Sequence, residues 1–103
     1  MKILNIYFFA CIFTATNASG APPAQPLEKI GSCPNGYYSS GNYCVPNSKA
    51  RFAIYKDGSC PNGYYSSGDY CVASSDSSKT AIHKTGSCPN GYYSSGNYCV
   101  SHN

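Results

Sequence analysis

Cysteine and tyrosine are the residues whose chemistry this chain can use. Cys33 and Cys44 bracket a short segment, and the same spacing returns at Cys60 and Cys71 and at Cys88 and Cys99. Thiols so placed could form bonds to one another or hold a soft metal such as copper or zinc. Structural zinc sites usually pair cysteines about two to four residues apart, far closer than these. Disulfides are the expected outcome. Many connectivities are formally open to six cysteines. Duplication of a self-closed unit favours Cys33–Cys44, Cys60–Cys71 and Cys88–Cys99, each worth roughly 3 kcal/mol in the chain-entropy model.

Other reactive groups lack partners. The serines have no recurring histidine to activate them, since His83 and His102 each occur in one copy only. Asp69 has no carboxylate counterpart in the other copies, and the four acidic residues form no acid–base pair. The expectation is a protein that is not an enzyme and uses no cofactor or metal.

Tyrosine then carries the argument, with 11 in the chain. Its ring offers a rigid apolar face and a hydrogen-bonding tip, suited to sugars and protein surfaces. Each copy has an adjacent pair, and strand alternation sends its members to opposite sides. Tyr37, Tyr64 and Tyr92 are the candidates for the outward, ligand-meeting member. Three linked weak contacts would gain avidity on a repeating target. The plainer reading is that all these rings pack on disulfides and neighbouring strands.

The elements that must position these residues are repeated. Gly31-Ser32-Cys33-Pro34-Asn35-Gly36-Tyr37-Tyr38-Ser39-Ser40-Gly41-Asn42-Tyr43-Cys44-Val45 recurs from Gly58 and again from Gly86, with Asp69 replacing Asn42 as the one variation. Pro-Asn-Gly bends the chain after the first cysteine. Gly41-Asn42, Gly68-Asp69 and Gly96-Asn97 read as two-residue hairpin loops with glycine first. That loop sets Ser40 opposite Tyr43, Ser39 opposite Cys44 and Tyr38 opposite Val45. A short extended lead with an aliphatic residue and a lysine precedes each block: Leu27-Glu28-Lys29, Ile54-Tyr55-Lys56 and Ile82-His83-Lys84.

The organisation expected is a signal peptide over 1–20 (cleaved near 18 or 20), a flexible or polyproline-like arm over 21–26, and repeats over 27–45, 52–72 and 80–103. Polar linkers over 46–51 and 73–79 separate the repeats. Lys2, the apolar run Ile3–Phe13 and the small residues after it carry the export reading. That run is too short to span a bilayer. Cleavage removes Lys2 and Cys11, so the formal charge drops from +3 to +2 and seven cysteines become an even six. Secretion or a periplasmic location follows as the expectation. So small a charge, without a basic stripe, argues against nucleic acid as a partner and against membrane binding.

Few aliphatic or phenylalanine side chains remain after the leader: Leu27, Ile30, Val45, Phe52, Ile54, Val72, Ile82 and Val100. A hairpin alone is marginal in water, so bridges and tyrosine rings must supply the packing. The fold class is a small disulfide-rich β protein of three tandem hairpin modules, either a compact β assembly or beads on linkers. The Cys-Pro-Asn-Gly-Tyr-Tyr-Ser-Ser-Gly-Asn-Tyr-Cys block resembles repeats in small exported bacterial proteins, a likeness that implies no particular ligand. Cys-Pro-x-Gly-Tyr-Tyr is also similar to cysteine-rich extracellular repeats of growth-factor receptors, which hold more cysteines per unit.

The functional expectation is a non-enzymatic exported binding or surface-interaction protein directed at a polysaccharide, the cell envelope or an extracellular protein. A structural spacer or matrix protein of the cell surface is the second reading, metal handling by reduced cysteines the third, and a small toxin or antimicrobial peptide the fourth.

Overall fold

The computed structural model describes residues 20–102. The leader expected over residues 1–20 lies, but for its last residue, outside them. Among the described residues nine short strands run in the order β1 (Leu27–Glu28), β2 (Tyr37–Ser40), β3 (Tyr43–Pro46), β4 (Ala53–Tyr55), β5 (Tyr64–Ser67), β6 (Tyr70–Ala73), β7 (Ala81–His83), β8 (Tyr92–Ser95) and β9 (Tyr98–Ser101). They form three separate three-stranded sheets with the orders β1-β3-β2, β4-β6-β5 and β7-β9-β8. Each module is thus a hairpin with its lead strand added antiparallel to the inner side.

The hairpin register is the one the loop dictates: Ser40 opposite Tyr43, Ser39 opposite Cys44, Tyr38 opposite Val45. Gly41, Gly68 and Gly96 take φ of 59°, 61° and 62°, whereas among the described residues no other residue type has positive φ. Positive φ at the first loop position alone is the turn that follows the right-handed strand twist. Asn42, Asp69 and Asn97 therefore sit where either side chain is tolerated. Each lead continues past its strand through one more bond, from the amides of Lys29, Lys56 and Lys84 to the loop carbonyls of Asn42, Asp69 and Asn97.

Three disulfides close the modules internally: Cys33–Cys44, Cys60–Cys71 and Cys88–Cys99. A first turn helps to align them, with the amides of Tyr37, Tyr64 and Tyr92 bonded to the carbonyls of Pro34, Pro61 and Pro89.

Alternation gives every sheet two faces. In the first module Leu27, Tyr37, Ser39 and Cys44 share the sulfur face, and Tyr38, Ser40, Tyr43 and Val45 share the front face. The sulfur face of one module is covered by the front face of the next. Tyr37 and Cys44, with Leu27 and Cys33, pack against Ala53, Tyr70, Val72 and Tyr55. One step along, Tyr64 and Cys71, with Ile54 and Cys60, pack against Ala81, Tyr98, Val100 and Tyr93. The hydrophobic cores thus lie between modules. The arrangement is a stack and not beads on linkers, because a single hairpin has too little apolar area to cover both of its faces.

The segment over 21–26, expected to be a flexible or polyproline-like arm, is docked. The Ala21 amide bonds to the Ser78 carbonyl at 2.7 Å, and Ala24 joins the core between the first two modules. It has no strand pairing, in keeping with Pro22, Pro23 and Pro26, which have no amide proton to give a ladder.

Candidate interaction surface

Eight of the ten tyrosines among the described residues fall into three structural groups. Tyr37 and Tyr64 are buried, each 8% exposed. Their hydroxyls donate to linker carbonyls, Tyr37 to Arg51 and Tyr64 to Lys79, both at 2.7 Å. Burial pushes both phenols up to about 12, since the charged form would be poorly solvated there. The expectation that they face outward is corrected. Their face is the one the next module covers, and their tips pin the chain that leads to it. Tyr92, the third of that set, is half-buried, and among the described residues it makes no such bond.

Tyr70 and Tyr98 form the second group, both wholly buried. Each inserts into the preceding module. The Tyr70 hydroxyl donates to the Glu28 carbonyl at 2.8 Å and accepts from the Ile30 amide at 3.2 Å. The Tyr98 hydroxyl donates to the Tyr55 carbonyl at 2.9 Å and accepts from the Asp57 amide at 2.6 Å. Each also lies against the preceding disulfide, at 3.8 Å from Cys44 Sγ and 3.7 Å from Cys71 Sγ. Burial raises the Tyr98 phenol, and the Asp57 carboxylate raises it further, against the opposing effect of the Asp57 backbone bond. Hydroxyls extend each junction: Ser67 Oγ accepts from the Asn35 amide and Ser95 Oγ from the Asn62 amide.

The third group comprises Tyr38, Tyr65 and Tyr93, the neighbours that were expected to turn inward. Tyr38 and Tyr65 are exposed and Tyr93 is half-buried. They stand on the outer strands β2, β5 and β8, one per layer.

Two of them line the same groove in successive junctions. The first groove, about 150 Å³, is bounded by Asn35, Gly36, Arg51, Tyr65 and Val72, with Lys49 and Ala50. The second, about 330 Å³, is bounded by Asn62, Gly63, Lys79, Tyr93 and Val100, with linker serines. Aligned on the repeat, Asn35 matches Asn62, Gly36 matches Gly63, Tyr65 matches Tyr93 and Val72 matches Val100. Each groove combines an aromatic wall, an aliphatic floor, an amide and a basic linker residue. In the first, Asn35 Nδ2 donates to the Tyr65 hydroxyl at 3.3 Å. Gly36 and Gly63, at φ of 87° and 85°, bring the linkers close enough to form the opposite wall.

Sequence reasoning missed this site because it treated one module at a time. The signal was present in the linkers: Lys49, Arg51 and Lys79 are basic in otherwise divergent segments.

Cys33, Cys44, Cys60, Cys71, Cys88 and Cys99 are all bonded in pairs, which occupies the sulfurs that a copper or zinc site would need. Among the described residues no group of three His, Cys, Asp or Glu side chains could hold a metal ion, and no helix is long and apolar enough to cross a membrane. Three intramolecular disulfides are consistent with an oxidising compartment.

No protein-family description, curated protein or solved structure matches the chain.

Proposed function

We propose that this is an exported, non-enzymatic binding protein that recognises an extracellular polymer, with a polysaccharide as the ligand class that the grooves suit best. The observation that carries the reading is the recurrence of one groove at both junctions, with Tyr65 and Tyr93 in equivalent places. A tyrosine ring stacks on the apolar face of a sugar, while Asn35 or Asn62 and a basic linker side chain address its hydroxyl or acidic groups. Sheets packed face to face lie about 10 Å apart, so the two sites present a short, regular spacing to a repeating chain. Two weak contacts on one rigid stack bind a repeating polymer more tightly than either alone. Export is supported by the charged and apolar leader and by the even set of bonded cysteines.

The test is a glycan and cell-envelope binding screen of the oxidised protein, followed by titration of the best polymer against variants. Tyr65→Ser and Tyr93→Ser should each weaken binding about tenfold or more, and the double variant should abolish it. Tyr38→Ser, on the uncovered outer face, should leave dilute binding unchanged. Retention of full affinity by the double variant would refute the groove as the site.

The spacer reading draws on a separate observation, the placing of every hydrophobic core between modules. That makes the stack a stiff rod whatever it binds. A screen that finds no ligand would favour it.

A further inference from the structure

The two ends of the stack are the two halves of its own internal junction. The front face of the first module is uncovered: Tyr43 is 52% exposed and Tyr38 56%, whereas Tyr70 and Tyr98, at the position of Tyr43, are both at 0%. At the other end, no further module among the described residues covers the sulfur face of the third. Ile82 is 39% exposed there, while Leu27 and Ile54 at the same position are partly buried in junction cores. The His83 carbonyl and the Thr85 amide stand where the Tyr55 carbonyl and the Asp57 amide grip Tyr98, and among the described residues no hydroxyl engages them. Gly31 and Gly58 each have the next module's loop residue pressed against them, Asp69 and Asn97, but a Cβ at Gly86 would meet nothing within 4 Å.

We infer that copies of this chain dock head to tail, the front face of one first module on the sulfur face of another copy's third module, so that the stack continues from molecule to molecule. The contacts that Tyr98, Ser95 and Asn97 make at the internal junction have their counterparts, whereas those made to a linker, such as Tyr64 on Lys79, do not. The Tyr43 hydroxyl donates to the His83 carbonyl and accepts from the Thr85 amide. Ser40 Oγ accepts from the Asn90 amide, as Ser67 and Ser95 do within the chain. Asn42 lies against Gly86 and donates to the Thr85 carbonyl, as Asn97 Nδ2 does to that of Asp57 at 3.1 Å. The contact joins two different surfaces and repeats in one direction, so it yields open linear assemblies and not closed dimers. Each new junction also sets Tyr38 of one copy beside Asn90 and Gly91 of the other, without the linker wall of the internal grooves. Within one chain the linkers hold neighbouring modules at a high effective concentration. Between copies that help is absent, so growth requires concentrated or surface-confined protein. The inference does not depend on the identity of any ligand.

Sedimentation velocity on the oxidised protein tests it, over a series rising to roughly millimolar. The expected result is an average mass that climbs past the dimer without a plateau. Tyr43→Arg disables the head, and Thr85→Pro disables the tail by removing the amide proton. Ile82→Glu is a second tail variant, placing a charge on an exposed strand position. Each should remain monomeric with no free thiols and an unchanged circular dichroism spectrum. An equal mixture of the head variant with either tail variant should stop at a dimer, because one functional head meets one functional tail. A wild-type protein that stays monomeric, a plateau at the dimer, growth in the folded single variants, or a mixture that stays monomeric would each overturn the inference.

Discussion

The hydroxyl of Tyr70 donates to the carbonyl oxygen of Glu28 across 2.8 Å, joining the middle module to the first. The Tyr70 hydroxyl oxygen in turn accepts the Ile30 amide proton. One phenol thereby satisfies a donor and an acceptor of a lead segment that has no fourth strand beside it. Tyr70→Phe would retain the ring and strand both backbone groups, a cost of about 1–3 kcal/mol. Tyr98→Phe should behave alike. Tyr43→Phe, in a nearly identical sequence context, should change monomer stability by less than about 0.5 kcal/mol. Denaturant unfolding of the three variants at low protein concentration checks the contrast.

What the sequence showed, and what it hid, divides along that same line. The glycine-first loop, the register of Tyr38 with Val45 and the pairing of Cys33 with Cys44 are local, so a single module sufficed to read them. The burial of Tyr37 is not local. Its face and the face of Tyr38 are equally plausible interiors for one isolated hairpin, and only the covering module decides. Tyr43 and Tyr70 sharpen the point, since nearly identical blocks place one in solvent and the other in a core. The groove residues Asn35, Arg51 and Tyr65 come from two modules and a linker, and no periodicity in the chain brings them together.

Alkaline unfolding should report Tyr37 and Tyr64. Both phenols rise to about 12 in the folded state, from 10 for the free side chain. Between those values the unfolded chain has released protons that the folded chain still holds. Stability is therefore undiminished below about pH 10 and is lost as pH climbs through 12. The free energy of unfolding should fall across that window. Tyr37→Phe combined with Tyr64→Phe should flatten the fall, although the variant starts lower because Arg51 and Lys79 lose their hydroxyl partners. Tyrosinate absorbance followed beside circular dichroism measures both quantities.

The middle disulfide should matter most. Replacing Cys60 and Cys71 by alanine removes a bridge worth about 3 kcal/mol in chain entropy. It also loosens the core that Cys71 shares with Tyr98 and the sheet that carries Tyr70. Hydrogen exchange in that variant should accelerate in all three modules. The corresponding change at Cys88 and Cys99 should leave the first junction protected.

Charge on the surface should contribute little. Arg51 Nε meets Asp76 Oδ1 at 3.2 Å, with side chains 44% and 95% exposed. Pairs so open to water are worth no more than about 1 kcal/mol. Asp76→Ala should shift the unfolding midpoint hardly at all, and added salt should not change that result. A large loss would mean that the bridge between linkers organises the stack more than its tyrosines do.

The two-faced construction of each sheet makes length a free variable. A tandem array in which every unit bears both the donor and the receiver of the same joint can gain or lose a whole unit through unequal recombination without exposing a mismatched surface inside. Ala50 and Ser77, both in linkers, mark places where such a break is tolerated. Selection for a longer or shorter rod would find the required parts already made, in a single mutational step.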